Sequence, residues 1–298
     1  RYTIAQHDPT GISGLMYRSP VALAVLFGVL SMLFALWLLW HQRDVHPEAA
    51  GIFGWIPGKV IHDLGIGVLI VAGAVSIFGV IGMAWKMFAR YTEIFGKGSL
   101  ALSALPTAFV NAAREVLLQG RYRLCNSLDT SDQPQPPWYL APWFLHAAIF
   151  WGFLGLLAAT TLDFLFKPIG SYVPPWYPIR LLGNVAGLLA TYGCGVAIWR
   201  RLRPPTNYYA NTHFTDWFFL WLLFAVVVSG FATEVIVYLP KPTLVGYVIF
   251  LLHVVLAMDL IVLLPVTKFA HAVYRPLAVL FDRWLECSRV RVAQEAQA

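Results

Sequence analysis

Two histidines near the C-terminal end of this 298-residue chain, His253 and His271, stand 18 residues apart. At about 3.6 residues per turn, that separation is five whole turns, so on one continuous helix both imidazoles leave the same face. At about 1.5 Å per residue they lie about 27 Å apart along the axis, less the effect of any kink at Pro265. A shared metal ion needs ligands a few ångströms apart, so this spacing argues against one. It suits two haems stacked across a membrane, each taking one axial imidazole from the helix. Hydrogen-bonded membrane histidines without a cofactor satisfy the same spacing, and spacing alone leaves both readings open.

Composition says what must hold these residues. The chain is 59% hydrophobic and only 12% charged, against about 25% charged in an average soluble domain. This excludes disorder, a nucleic-acid-binding domain and an ordinary cytosolic enzyme. The net charge of +6 does not reopen the nucleic-acid reading, because the basic residues sit between apolar runs too long for a globular core. Runs of this length span bilayers. The expectation is an all-α integral membrane protein, a bundle of about six transmembrane helices near 20–40, 60–88, 140–164, 179–199, 214–238 and 244–272. Pro20, Pro57, Pro142, Pro178 and Pro242 fall near span starts, where a missing N–H costs least. The first apolar run is too long for a signal-peptide core and reads as a retained span. Gly65, Gly73, Gly79, Gly82, Gly183 and Gly187 would let helices approach closely.

Six spans put both termini on one side. Of the 21 lysines and arginines, 16 flank that side and five, Arg43, Lys59, Lys167, Arg180 and Lys241, flank the other. By the positive-inside rule the termini are cytoplasmic. The connection 91–138 then is cytoplasmic too. Its stretch Thr107–Leu118 reads as an amphipathic interfacial helix, and Ser131–Pro137, with three prolines, as a loop. Three segments follow: 1–138, two helices and the connection; 139–285, a four-helix core; and 286–298, a basic tail suited to a protein partner or to anionic membrane lipid. Cys125, Cys194 and Cys287 lie far apart, with no Cys-x-x-Cys. That removes zinc ribbons, iron–sulfur clusters and covalent haem from this chain.

The segment from His253 through Pro265 and Lys268 to His271 closely resembles the last span of the nitrate reductase gamma-subunit family. That family includes the membrane subunits of heterodisulfide reductase and of the dissimilatory sulfite-reduction complex. His146, Gly152, Phe153, Thr160 and Thr161 look like its earlier haem-binding helix. The resemblance covers about 139–285. It implies a membrane cytochrome b of a prokaryotic inner membrane, carrying non-covalent b-type haem. Such a subunit passes electrons between the quinone pool, menaquinone or ubiquinone, and a cytoplasmic iron–sulfur partner.

Depth then suggests ligand pairs. His146 and His271 both fall near the cytoplasmic face and would hold an inner haem, with His213 as a competitor to His146. His253 falls in the outer half. The resembled family supplies its partner ten residues after the first histidine of span three, and here that position is Leu156. His62, at the outer start of span two, is the first candidate to replace it and His41 the second; a single haem is the alternative. The apolar segment from Gly51 to Pro57 would have to dip into the membrane to bring His62 to the depth of His253. His7 and His46 read as surface residues. Asp259, six residues after His253, points away from the His253 face, as a proton carrier, as the partner of a basic group or as a hydrogen-bonded structural carboxyl. Asp63, Asp163 and Glu234 are candidate proton acceptors at outer span ends, and Arg180, Lys268 and Arg275 candidate partners of haem propionates. Two rival functions are a transporter or proton channel, which requires a helix broken near mid-membrane, and a haem-free membrane anchor.

Overall fold

The computed structural model describes residues 2–43, 52–96, 99–120, 136–166, 173–203, 212–239 and 243–295, with side chains to 290. His46, Cys125 and most of the loop Ser131–Pro137 lie outside the described residues. Among those described the chain is helical, with no strand. Its helices are α1 (Tyr2–His7), α2 (Ile12–Arg18), α3 (Pro20–Trp40), α4 (Gly58–Phe95), α5 (Leu105–Leu118), α6 (Pro142–Phe166), α7 (Pro178–Leu202), α8 (Phe214–Val237), α9 (Leu244–Val262) and α10 (His271–Glu295). Six of these, α3, α4 and α6–α9, are long and apolar enough to cross a membrane. The helix expected over 107–118 forms as α5.

The helix starts follow local chemistry. Pro20 opens α3 behind Ser19, whose Oγ accepts from the Ala22 N–H at 3.2 Å. Thr243 caps α9 through Gly246 N–H at 3.3 Å. α4 has 38 residues, about 57 Å at 1.5 Å per residue, nearly twice a bilayer core.

The last span departs from expectation. A continuous helix to 272 was expected; α9 instead stops at Val262, and turns and a 3₁₀ segment (Lys268–Ala270) precede α10. Pro265 has no N–H to continue the ladder and disfavours helical backbone at Leu264. The five-turn argument for a shared face of His253 and His271 therefore fails, because no single helix carries both.

The chain divides into two compact units. One comprises 1–18, 72–134 and 264–298. Within it α10 packs on α5: Phe281, Trp284 and Leu285 bury against Leu100, Ala104 and Ala108. Trp284 Nε1 donates to the Ala101 carbonyl at 2.8 Å, and Arg283 donates to Glu115 from two nitrogens at 2.6 and 2.8 Å. The other unit comprises 19–71 and 135–263. Within it α6 and α7 touch backbone to backbone: a Cβ at Gly152 would stand 2.6 Å from the Ala190 nitrogen, so only glycine permits this approach. Of the glycines expected to bring helices together, Gly65, Gly79, Gly183 and Gly187 do face neighbouring side chains, whereas Gly73 and Gly82 face none within 4 Å.

Candidate functional site

His253 is the central residue of α9, nine residues from either end. Its ring lies against α8, where Gly230 makes room for it: a Cβ at that position would sit 3.1 Å from the imidazole Cε1. The neighbouring Ser229 Oγ donates to the Val226 carbonyl at 3.0 Å and lies 3.1 Å from His253 Nδ1. A hydroxyl has one proton. With that proton on Val226, Ser229 accepts from Nδ1–H, and the lone pair of His253 is left on Nε2. A neutral imidazole held at Nδ1 with Nε2 bare is the form that ligates a metal.

His62 comes to the same height. Gly65 of α4 lies against Met258 of α9 at 3.5 Å by its would-be Cβ. Upstream, Trp55 packs on Tyr247 with ring centroids 5.1 Å apart, so from that contact to Gly65–Met258 the two segments advance in the same direction. Three residues back from each member of the Gly65–Met258 contact are His62 and Val255. His62 is thus within about 3 Å of His253 in depth. The segment before α4 packs on α9: Ile56 is fully buried in a cluster with Phe250, Val254 and Met258. The His62 ring stacks on Phe164 of α6, centroids 4.2 Å apart and planes 15° apart. Its Nδ1 lies 3.3 Å from Asp63 Oδ1, while Lys59 holds Oδ2 at 2.8 Å. A carboxylate only accepts, so Nδ1 carries a proton and, in the neutral ring, Nε2 carries the lone pair.

His41 is shallower. The bond from Ser31 to Asp259 sets the antiparallel register of α3 and α9, and ten residues on, His41 falls level with Ile249, about one turn from His253. Its Nδ1 donates to the Trp37 carbonyl at 2.8 Å. His271, in the other unit, opens α10 with Nδ1 donating to the Lys268 carbonyl. His146, in the first turns of α6, has a buried Nδ1. His213 is different in kind. It is the N-cap of α8: its Nδ1 accepts from Thr215 N–H at 3.4 Å, and Asp216 Oδ2 accepts from the His213 N–H at 3.2 Å. The Thr215 hydroxyl lies 3.1 Å from the same Nδ1, and with Nδ1 accepting in this cap the ring proton belongs on Nε2, the nitrogen that a ligand to iron would need bare.

Asp259 is fully buried and points away from the His253 face, toward α3, as expected. With α9 ending at Val262, it occupies the last turn rather than mid-span. Arg180, a candidate propionate partner by sequence, lies 3.6 Å from Glu234, which also accepts from Asn184 at 3.2 Å. Sequence reasoning missed Ser229, Gly230 and Phe164 as the residues that position the two imidazoles; the adjacent Ser-Gly pair in an otherwise bulky span was the available signal. Among the described residues no three His, Cys, Asp or Glu side chains gather as a metal site. Axial ligation of haem needs at most two.

A family model described as CitB, citrate utilization protein B, matches residues 14–293, which is nearly the whole chain and parts of both units. The chain belongs to this family. Neither a curated protein nor a solved structure matches it. The resemblance to nitrate reductase gamma subunits finds no support in the comparison. What stands is a multi-pass, all-helical member of the citrate utilization protein B family.

Proposed function

We propose that this chain is a membrane cytochrome b subunit serving a citrate-utilization system. It exchanges electrons between the quinone pool and a peripheral iron–sulfur oxidoreductase partner on the cytoplasmic side, where both termini lie. The observation that carries this reading is His253: an imidazole at the centre of an apolar helix, fixed at Nδ1 by Ser229, opposite a glycine, with Nε2 left bare. Such a residue suits an axial ligand. His62, at matching depth and with the same tautomer, is the proposed second ligand. His146 and His271 are proposed ligands of a second haem on sequence grounds, and His271 has the required tautomer. Haem, when bound, supplies reversible one-electron exchange. The residues around it orient the imidazoles and keep water from them.

The purified protein tests this by pyridine haemochrome assay. Two haems per chain is the expected value. A value near one keeps the His253 site and removes the second, and a value near zero ends the cytochrome reading.

One observation favours a transporter instead: the last span is broken after Val262, beside a buried Asp259. A transporter requires the break near mid-membrane. Here α9 alone, 19 residues and about 28 Å, already matches the bilayer core, so the break falls at its edge. Accumulation of labelled citrate in proteoliposomes, with no b-type absorption, would establish that reading.

A further inference from the structure

Asp259 has no part in the proposed ligand set, yet it is a carboxyl with no exposed surface inside a membrane-spanning helix. Its Oδ2 accepts from Ser31 Oγ of α3 at 2.6 Å. Its Oδ1 has no partner among the described residues. The turns that flank the pair are apolar: Val255 and Val262 of α9 and Phe34 and Ala35 of α3 belong to one hydrophobic cluster. One hydroxyl and one carboxyl are too few oxygens for a sodium or calcium ion, which takes about six or more ligands. A charged carboxylate with one oxygen bare in apolar surroundings costs several kcal/mol, and the group takes up a proton instead. Ser31 fits that state. It donates to Oδ2, so the carboxyl proton belongs on Oδ1, the oxygen with no partner.

We propose that Asp259 and Ser31 form a proton-binding site in the membrane-spanning helices, with Oδ1 as the atom that takes up and releases the proton. The site does not depend on the haem reading, because it is built from α3 and α9 without any of the proposed ligands. Its chemistry is a simple transfer: the O–H bond at Oδ1 breaks to give the carboxylate and a proton passed to water or to a base, and the reverse step restores it. The Ser31 O–H bond stabilises the carboxylate while it lasts.

Infrared difference spectroscopy of the purified full chain in lipid, with and without haem, tests the proposal. The expected spectrum has the carbonyl stretch of a protonated carboxyl, which moves when water is exchanged for D₂O and moves again in Ser31→Ala as the hydrogen bond is lost. Asp259→Asn, which keeps the size and the acceptor toward Ser31, removes the band. A spectrum without such a band overturns the proposal. So does a band that Ser31→Ala leaves in place, and so does a band unmoved by D₂O, which marks a sealed structural carboxyl. Because the band is read in haem-free protein as well, its absence and the failure of the cytochrome reading are separate results.

Discussion

The middle of α9 and the start of α8 each hold a histidine, and the two are bonded in opposite senses. At His253 the Nδ1 donates to Ser229, a residue of another helix, and Nε2 keeps its lone pair. At His213 the Nδ1 accepts from the helix end that it caps, and Nε2 keeps a proton. Both residues belong to the same compact unit and both were candidate ligands by sequence. The hydrogen-bond partner separates them: a carbonyl, carboxylate or already committed hydroxyl makes a ligand, and a backbone N–H makes a cap. His41, His62 and His271 fall on the His253 side of that division.

The largest effect that would sharpen the contrast is at His62. His62→Ala should remove the same spectral component as loss of His253, while His41→Ala, one turn shallower, should leave all b-type absorption intact. The reverse pattern would transfer the ligand role to His41. Gly230→Val comes next. Its side chain must enter space held by the His253 ring, and overpacking of about 1–3 kcal/mol should weaken haem retention roughly tenfold or more; titration of the apo-protein with haem measures this. Ser229→Ala should keep the haem but raise its midpoint potential, since the imidazole loses the acceptor that increases its basicity. A redox titration reads the shift, and an unchanged potential would remove Ser229 from the account. The smallest change is His213→Ala. It should cost about 1 kcal/mol of stability through loss of the cap and leave the spectrum untouched.

Much of the fold was readable in the residues. Pro20, Pro142 and Pro178 mark the starts of α3, α6 and α7, because a proline N1 loses nothing there. The packing of the segment before α4 followed from the apolar run from Gly51 to Pro57, and the rings of Phe53 and Trp55 lie against Phe250 and Tyr247. The end of α9 is written in Leu264–Pro265, whereas the 18-residue histidine spacing pointed to a helix running past it. The tautomers were not readable. Ser229 is 24 residues from His253, and only the packing of α8 on α9 brings them together. The role of Asp259 depended likewise on Ser31, 228 residues away.

The most direct test of the central claim is the reduced-minus-oxidised absorption spectrum of purified wild-type protein beside His253→Ala and His213→Ala. Wild type and His213→Ala should show the same b-type bands, and His253→Ala should lose one component entirely. A His253→Ala protein that folds and retains the full wild-type spectrum would contradict the account.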